Sequence, residues 1–335
     1  MSIANIKDVA RHANVSPGTV SNALSGKRPV SPKTQQRILD SISTLGYHPD
    51  TLAQSLVNGH SRTLGVVTNH LDDYGTSRVL TGIDQQAAQN GYSILLTMVH
   101  RNNQITNNQM LTQLISHRVA GIIWAVPELW NTDEVNLAQY GDRLPPTVFV
   151  LMNPNTGLSV VNYNIVDGTT QAMQHLIRQG RKRIAHIAGP ATWDSQQRTL
   201  IWHNILSEAG LPCDESYVAV SDWSVPGGEK AMHDLLNQHP DLDAVLACND
   251  HNAIGALKVL RAANRNVPSE VSIVGYDNVP ESGYVSPALT TISLPFAELG
   301  RTAVRQLCQL IDSTAQPQPQ PNILLPVELV MRESA

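Results

Sequence analysis

Two periodicities divide the chain. Through residue 56, apolar positions recur at helical spacing. Ile6, Val9, Ala10 and Ala13 fall on one face, and Asn14-Val15 makes a turn. Ser16-Pro17 then carries a helix-start signal, a capping hydroxyl followed by a proline that loses no needed donor. Val20, Ala23 and Leu24 give this second helix its buried side, leaving Thr19, Ser21 and Asn22 polar. Ser31-Pro32 repeats the signal for a third helix, with Ile38, Leu39 and Ile42 inward and an end near Gly46. Helix, short turn, helix with short polar side chains outward predicts a helix-turn-helix, whose second helix enters the major groove. A short amphipathic segment follows at 49–58, with Leu52, Ala53 and Leu56 on one side. A helix this short is marginal in water, so it is expected to order only when held by DNA and a partner copy. A flexible linker with incidental leucines is the plainer alternative.

From Leu64 the pattern changes to short apolar runs alternating with helical stretches. Strands are expected at 64–68, 92–98, 121–126, 147–151, 159–161, 183–188, 217–220, 244–248, 271–276 and 290–294, with a final strand over ILLPVELVMR. Helices are expected over 76–90, 104–117, 167–180, 195–209, 227–238 and 295–311, and the Gln-Pro run at 316–321 reads as a surface loop. Apolar runs buried on both faces and separated by helices predict parallel sheets with right-handed crossovers. There are too many units for one sheet. The fold class is therefore α/β: an all-α headpiece plus a body of two Rossmann-like lobes, the two-lobed plan of periplasmic binding proteins. The expected boundaries are a headpiece at 1–48, a short helix and linker at 49–62, and a ligand-binding body at 63–335. A crevice at the strand C-termini, at a topological switch point, would hold the ligand.

Charge sharpens this division. The chain of 335 residues has a net charge of −5, but residues 1–62 hold seven Lys/Arg against three acids, a net of +4. The remainder carries −9. A basic end on an acidic body suggests that the end meets phosphate. Cys213, Cys248 and Cys308 are isolated, with no metal-site spacing. With neither a leading apolar run nor a membrane-length span, a reduced cytoplasm, no membrane and no cofactor are expected. Phosphate-loop, dinucleotide, nucleophile-elbow and zinc-protease signatures are all missing, which argues against an enzyme.

Several polar residues sit where strands end. Asn249-Asp250 follows AVLAC, Asp277 follows VSIVGY, Arg198 lies early on a helix after Ala188-Gly189-Pro190, and Trp223 follows the strand ending near Val220. Each has a plainer reading: helix capping for Asn249 and Asp250, a solvated helix face for Arg198, a core aromatic for Trp223.

The motifs KDVA-x-x-A-x-VS-x-x-TVS-x-x-L, V-S-x-x-T, LGY-x-P and LA-x-SL resemble the headpiece of the lac-repressor/gal-repressor (LacI–GalR) family. GP-x-x-W-x-S-x-x-R, DWS, ACND-x-x-AIGA, VP-x-x-VSIVGYDN, P-x-LTTI and LLP-x-ELV-x-R resemble its effector-binding body. The resemblance implies a ligand-responsive repressor of carbohydrate-utilisation genes, a homodimer on a pseudo-palindromic double-stranded operator. It implies base reading by Pro17, Gly18 and Asn22, and phosphate contacts from Ser16, Thr19, Ser21, Ser31, Thr34 and Tyr47. It further implies a hinge helix and linker at 49–62 and an effector-binding and dimerisation domain at 63–335. The hinge, with Ala53 and Leu56, would wedge Leu56 into the minor groove and kink the duplex. Asn at position 22 suits adenine, whereas Arg suits guanine.

In the body, the resemblance implies that Arg198 and Asp277 hold ligand hydroxyls beside Asn249, that Trp223 stacks on the ligand and that Phe296 stands nearby. Leu151 and Leu294 replace polar residues of relatives, and Asp72-Asp73-Tyr74-Gly75 replaces an Asn-Pro-Phe-Phe type of loop. These departures imply a different ligand, read in part by Asp72, Tyr74 or Trp124. The expected effector is a small sugar or sugar phosphate. A nucleobase corepressor is the alternative, and a sugar-binding transport protein a more distant one. Without a leucine-rich heptad tail, a dimer rather than a tetramer is expected.

Overall fold

The computed structural model describes residues 4–25, 28–47, 61–69, 71–99, 107–126, 141, 143–154, 157–313 and 322–335. The hinge segment at 49–58 and the Gln-Pro run at 316–321 lie outside the described residues. By internal contacts the chain divides into two compact units, Met1–Arg62 and Thr63–Ala335.

The smaller unit contains α1 (Ile6–His12), α2 (Pro17–Ser25) and α3 (Pro32–Leu45). Asn5 caps α1 in a reciprocal box. Its side chain accepts from the N–H groups of Lys7 and Asp8, while the Asp8 carboxylate accepts from the Asn5 N–H. Gly46 ends α3 in the left-handed conformation at φ 58°. Val9, Ala10, Ala13, Val20, Ile38 and Tyr47 form the core. Leu39, expected inward, is 47% exposed. It lies one residue, or about 100° of helix, off the stripe of Ile38, Ile42 and Leu45 that faces α1 and α2.

The larger unit has two six-stranded sheets. The first runs β11-β5-β4-β3-β1-β2, entirely parallel, and uses β1 (Thr63–Thr68), β2 (Ser93–Met98), β3 (Gly121–Trp124), β4 (Thr147–Val150), β5 (Ser159–Tyr163) and β11 (Ile323–Leu325). The second runs β12-β10-β9-β8-β6-β7, with β6 (Ile184–Ala188), β7 (Val218–Val220), β8 (Ala244–Ala247), β9 (Ser272–Asp277), β10 (Thr290–Ser293) and β12 (Glu328–Val330). Only its β10–β12 pair is antiparallel. Helices α4 (Tyr74–Gln89) and α5 (Asn107–Ser116) belong to the first lobe. Helices α6 (Ile165–Arg178), α7 (Trp193–Glu208), α8 (Val225–Gln238) and α9 (Asp250–Ala262) belong to the second.

Helix α10 (Phe296–Asp312) follows the second lobe in sequence but packs on α4 and on strands β3, β4 and β5 of the first. Glycines let the two helices touch. A Cβ at Gly82 would land on the Ala297 carbonyl, and one at Gly300 on that of Val79. The chain therefore passes between lobes three times: after β5, before α10, and between β11 and β12. That last passage corrects the single final strand expected. Pro326 falls between two short strands that belong to different sheets. Lacking an N–H, proline interrupts a ladder at that point.

Candidate ligand cavity and nucleic-acid interface

The C-terminal ends of strands from both lobes converge on a cavity of about 430 Å³. In each lobe the switch point contributes. β1 lies between β2 and β3, and β6 between β7 and β8, so the loops after β1 and β6 diverge and leave a crevice.

Arg198 is on the inner side of α7 and is 3% exposed, so it is no solvated helix face. Its guanidinium donates to the Asp194 carboxylate, one turn earlier, and to the Cys248 carbonyl. It also donates to the Tyr163 hydroxyl at 3.3 Å, and its Nε to the Asp194 carbonyl at 3.4 Å. The group sits 4.7 Å above the Tyr276 ring and 5.7 Å from that of Trp223. Burial works against the charge, but the Tyr163 and Asp194 oxygens more than offset it, and the guanidinium pKa is raised. A buried cation with its counter-ion one turn away is a rigid fixture.

Asn249 both lines the cavity and caps α9: its Oδ1 accepts from the Asn252 N–H at 2.8 Å. Its Nδ2 donates to the Trp223 carbonyl at 3.0 Å, tying the loop after β7 to the end of β8. Trp223 lines the cavity, half-buried. A Cβ on Gly189 would strike its ring, so only glycine lets the indole lie against the turn after β6. Asp250 faces away from the cavity and is fully buried. Its carboxyl accepts from Val279 N–H at 2.8 Å and Thr291 hydroxyl at 2.5 Å.

Asp277 lines the cavity at the end of β9, with backbone φ at 113°, a region side chains rarely adopt. Burial, reinforced by Asp250, pushes its carboxyl well above the usual range. Among the described residues no hydrogen bond reaches that carboxyl, leaving it available to a ligand.

The first lobe supplies Asp72 and Asp73 from the loop after β1, Leu151 at the end of β4, and Phe296 at the start of α10. Tyr74 is not on the wall. Its ring meets that of Phe296 edge-on, with centroids 6.0 Å apart, and so buttresses a wall residue. Trp124 is a correction. It is 1% exposed within the core beside Val67 and Phe149, and its indole N–H donates to the Val126 carbonyl at 3.3 Å. Strand alternation turns Trp124 inward, and the next residue, Ala125, reaches the cavity.

The wall residues that escaped the sequence reading include Asp73, Tyr163, Asp194 and Asp222. Asp194 carried a signal, a carboxylate four residues before Arg198. Tyr163 carried none, being 35 residues from the arginine it meets.

On the smaller unit, Ser16, Pro17, Gly18 and Ser21 are exposed and Thr19 and Asn22 half-buried. Pro17, Gly18, Ser21 and Asn22 span one side of α2, opposite the Val20, Ala23 and Leu24 side that packs inward. Ser16 accepts from the Thr19 N–H at 3.1 Å, and Ser31 from the Thr34 N–H at 3.3 Å, so both residues cap their helices. Tyr47, expected at phosphate, is 8% exposed and part of the headpiece core. Ala53 and Leu56 lie outside the described residues.

A small helical unit with one polar helix face, joined to a two-lobed body around a ligand-sized cavity, defines a DNA-binding regulator with a sensor. The comparisons agree. Residues 5–50 match bacterial regulatory proteins of the lacI family, and residues 173–335 match the periplasmic binding protein-like domain. The lactose operon repressor of Escherichia coli (strain K12) is 31% identical over 336 residues, covering 100% of this chain and 91% of the repressor. The transcriptional repressor PurR of Pasteurella multocida (strain Pm70) is 30% identical, covering 99% and 98%. The crystal structure of the lac repressor dimer bound to operator and the anti-inducer ONPF superposes with a TM-score of 0.88 at 30% identity, covering 99% of both chains. A complex of the regulator CelR with cellobiose gives 0.73 at 28% identity, covering 99% and 100%. The chain belongs to the lacI family of bacterial regulatory proteins, and it is a ligand-responsive transcriptional regulator. Its relatives are regulators, not enzymes, and among the described residues no helix is long and apolar enough to cross a membrane.

Proposed function

We propose that this chain is a cytoplasmic homodimeric repressor of carbohydrate-utilisation genes, released from its operator by a sugar-like effector in the cavity between its lobes. The observation that carries this reading is Arg198, held rigid by Asp194 and Tyr163 beside the Trp223 ring, with the Asp277 carboxyl on the same cavity wall. An Arg, an Asp and an indole face suit a ring whose edge bears hydroxyls and whose face bears C–H groups. Operator reading falls to Pro17, Gly18 and Asn22. Ser16, Thr19, Ser21, Ser31 and Thr34 stand at the phosphates, and Ala53 and Leu56 belong to the hinge that bends the duplex. Tyr47 serves mainly to seat the headpiece. Ligand-driven closure of the lobes would act on the dimer geometry and thereby on the hinges. A coupling of about 1–3 kcal/mol suffices for such control.

The test uses operator duplexes selected from a randomised pool by the purified protein. Arg198→Ala should abolish ligand-induced release yet keep unliganded operator affinity. Trp223→Ala, which leaves the Arg198–Asp194 pair intact, should weaken the response tenfold or more, about 1.4 kcal/mol or more. A full ligand response in both variants refutes the assignment of the cavity.

A further inference from the structure

Among the described residues, five aspartates, Asp72, Asp73, Asp194, Asp222 and Asp277, line the cavity against a single guanidinium, that of Arg198, and one imidazole, that of His251. Arg198 is largely committed already, with four hydrogen bonds to protein oxygens and the Asp194 carboxylate as its counter-ion. Little of its charge or donor capacity is left for an anion.

Several other donors on the wall are committed in the same direction. The Thr192 hydroxyl donates to Asp194, the Ser224 hydroxyl to Asp222 and the Thr76 hydroxyl to Asp73. The amide of Asn249 is spent on Trp223. Helix N-termini are the usual remaining refuge for a phosphate. Among the described residues, the N-termini of α4, α7, α8, α9 and α10 meet this cavity, and an acid stands close to each. Asp73 caps α4, Asp194, Asp250 and Glu298 stand in the first turns of α7, α9 and α10, and Asp222 accepts from the Ser224 N–H at the start of α8. The wall is thus rich in acceptors, and an acid stands by each helix N-terminus that meets it.

We propose that the effector is an uncharged saccharide, bound through hydroxyl groups that donate to these aspartate oxygens, and that a phosphorylated sugar is excluded. Hydroxyls of a neutral sugar supply donors to these acceptors, and the Trp223 ring covers the sugar's C–H face. A phosphate dianion would bring acceptors to acceptors and charge to like charge. This inference rests on the reading of the cavity as the effector site.

The experiment is a thermal-shift and calorimetric titration of the full chain without DNA. The probes are glucose, galactose, cellobiose, lactose, maltose, ribose, glucose 6-phosphate, galactose 1-phosphate, ribose 5-phosphate and inorganic phosphate. At least one neutral sugar should bind, and its phosphorylated counterpart should bind at least about a hundredfold more weakly. A phosphorylated sugar that equals or beats its parent, or a panel in which no neutral sugar binds, overturns the inference. Asp72→Lys, at an exposed rim position, should narrow the gap about tenfold. An unchanged gap refutes the electrostatic cause. The outcome is separable from that of the proposed function. If Arg198→Ala and Trp223→Ala abolish the binding of whichever probe binds, the cavity is the effector site whatever the charge of that probe.

Discussion

At the end of β8 two adjacent residues face opposite ways. Asn249 looks into the cavity while capping α9, and Asp250 is sealed behind it against Val279 and Thr291. Burial pushes the Asp250 carboxyl up to about 7, against the lowering effect of those two hydrogen bonds. In the unfolded chain the same group titrates near about 3.9. Between these values the native state holds a proton that the unfolded state has lost, so this group's contribution to stability is present at low pH and falls as pH rises towards 7. Asp250→Asn keeps an acceptor and removes the titration. Relative to the parent, it should gain stability from pH 4.5 to pH 7.5, by a few kcal/mol at most, roughly 1.4 per unit of pKa difference. Urea unfolding at the two pH values checks this. An identical difference at both would show that Asp250 does not titrate in the window.

Among the elements, the headpiece helices are the most legible, because their signals are local. A serine before a proline starts α2 and α3, a left-handed glycine ends α3, and the apolar stripes match the observed core except at Leu39. The capping box at Asn5 is a further local device. Asn5→Ala should cost the headpiece about 1 kcal/mol, read as a lower melting temperature of that unit by circular dichroism. An unchanged melt would show that α1 is held by packing alone. The body's parallel strands were equally legible as apolar runs. Their partners were not, since nothing in ILLPVELVMR shows that its two halves pair with different sheets. Periodicity also could not decide between Trp124 and Ala125 at the end of β3, because both faces of a central parallel strand are buried.

For the whole molecule, charge is segregated: +4 over residues 1–62 and −9 over the rest. Binding of operator should therefore weaken steeply with salt, because cations released from the duplex drive association. Binding of a neutral effector should be nearly independent of salt. Fluorescence anisotropy with labelled operator from 50 to 200 mM salt, about the range over which such slopes are read, checks the first. Calorimetry with the bound sugar over the same range checks the second. A flat operator profile would remove phosphate contact as the source of affinity.

By itself the amino-acid order determined what is short-ranged: helix caps, turns, apolar stripes, the alternation of strand and helix, and the split of charge along the chain. Each is settled by neighbours within a few residues, which is why the helix-turn-helix unit and the α/β body could be read in order. Tertiary structure alone decided what stands on the cavity wall. Arg198 meets Tyr163 and Cys248 across 35 and 50 residues. Gly189 makes room for Trp223, and an acid stands by each helix N-terminus that meets the cavity. These are consequences of strand order and loop divergence, which bring distant residues within hydrogen-bond reach, and no local pattern encodes them.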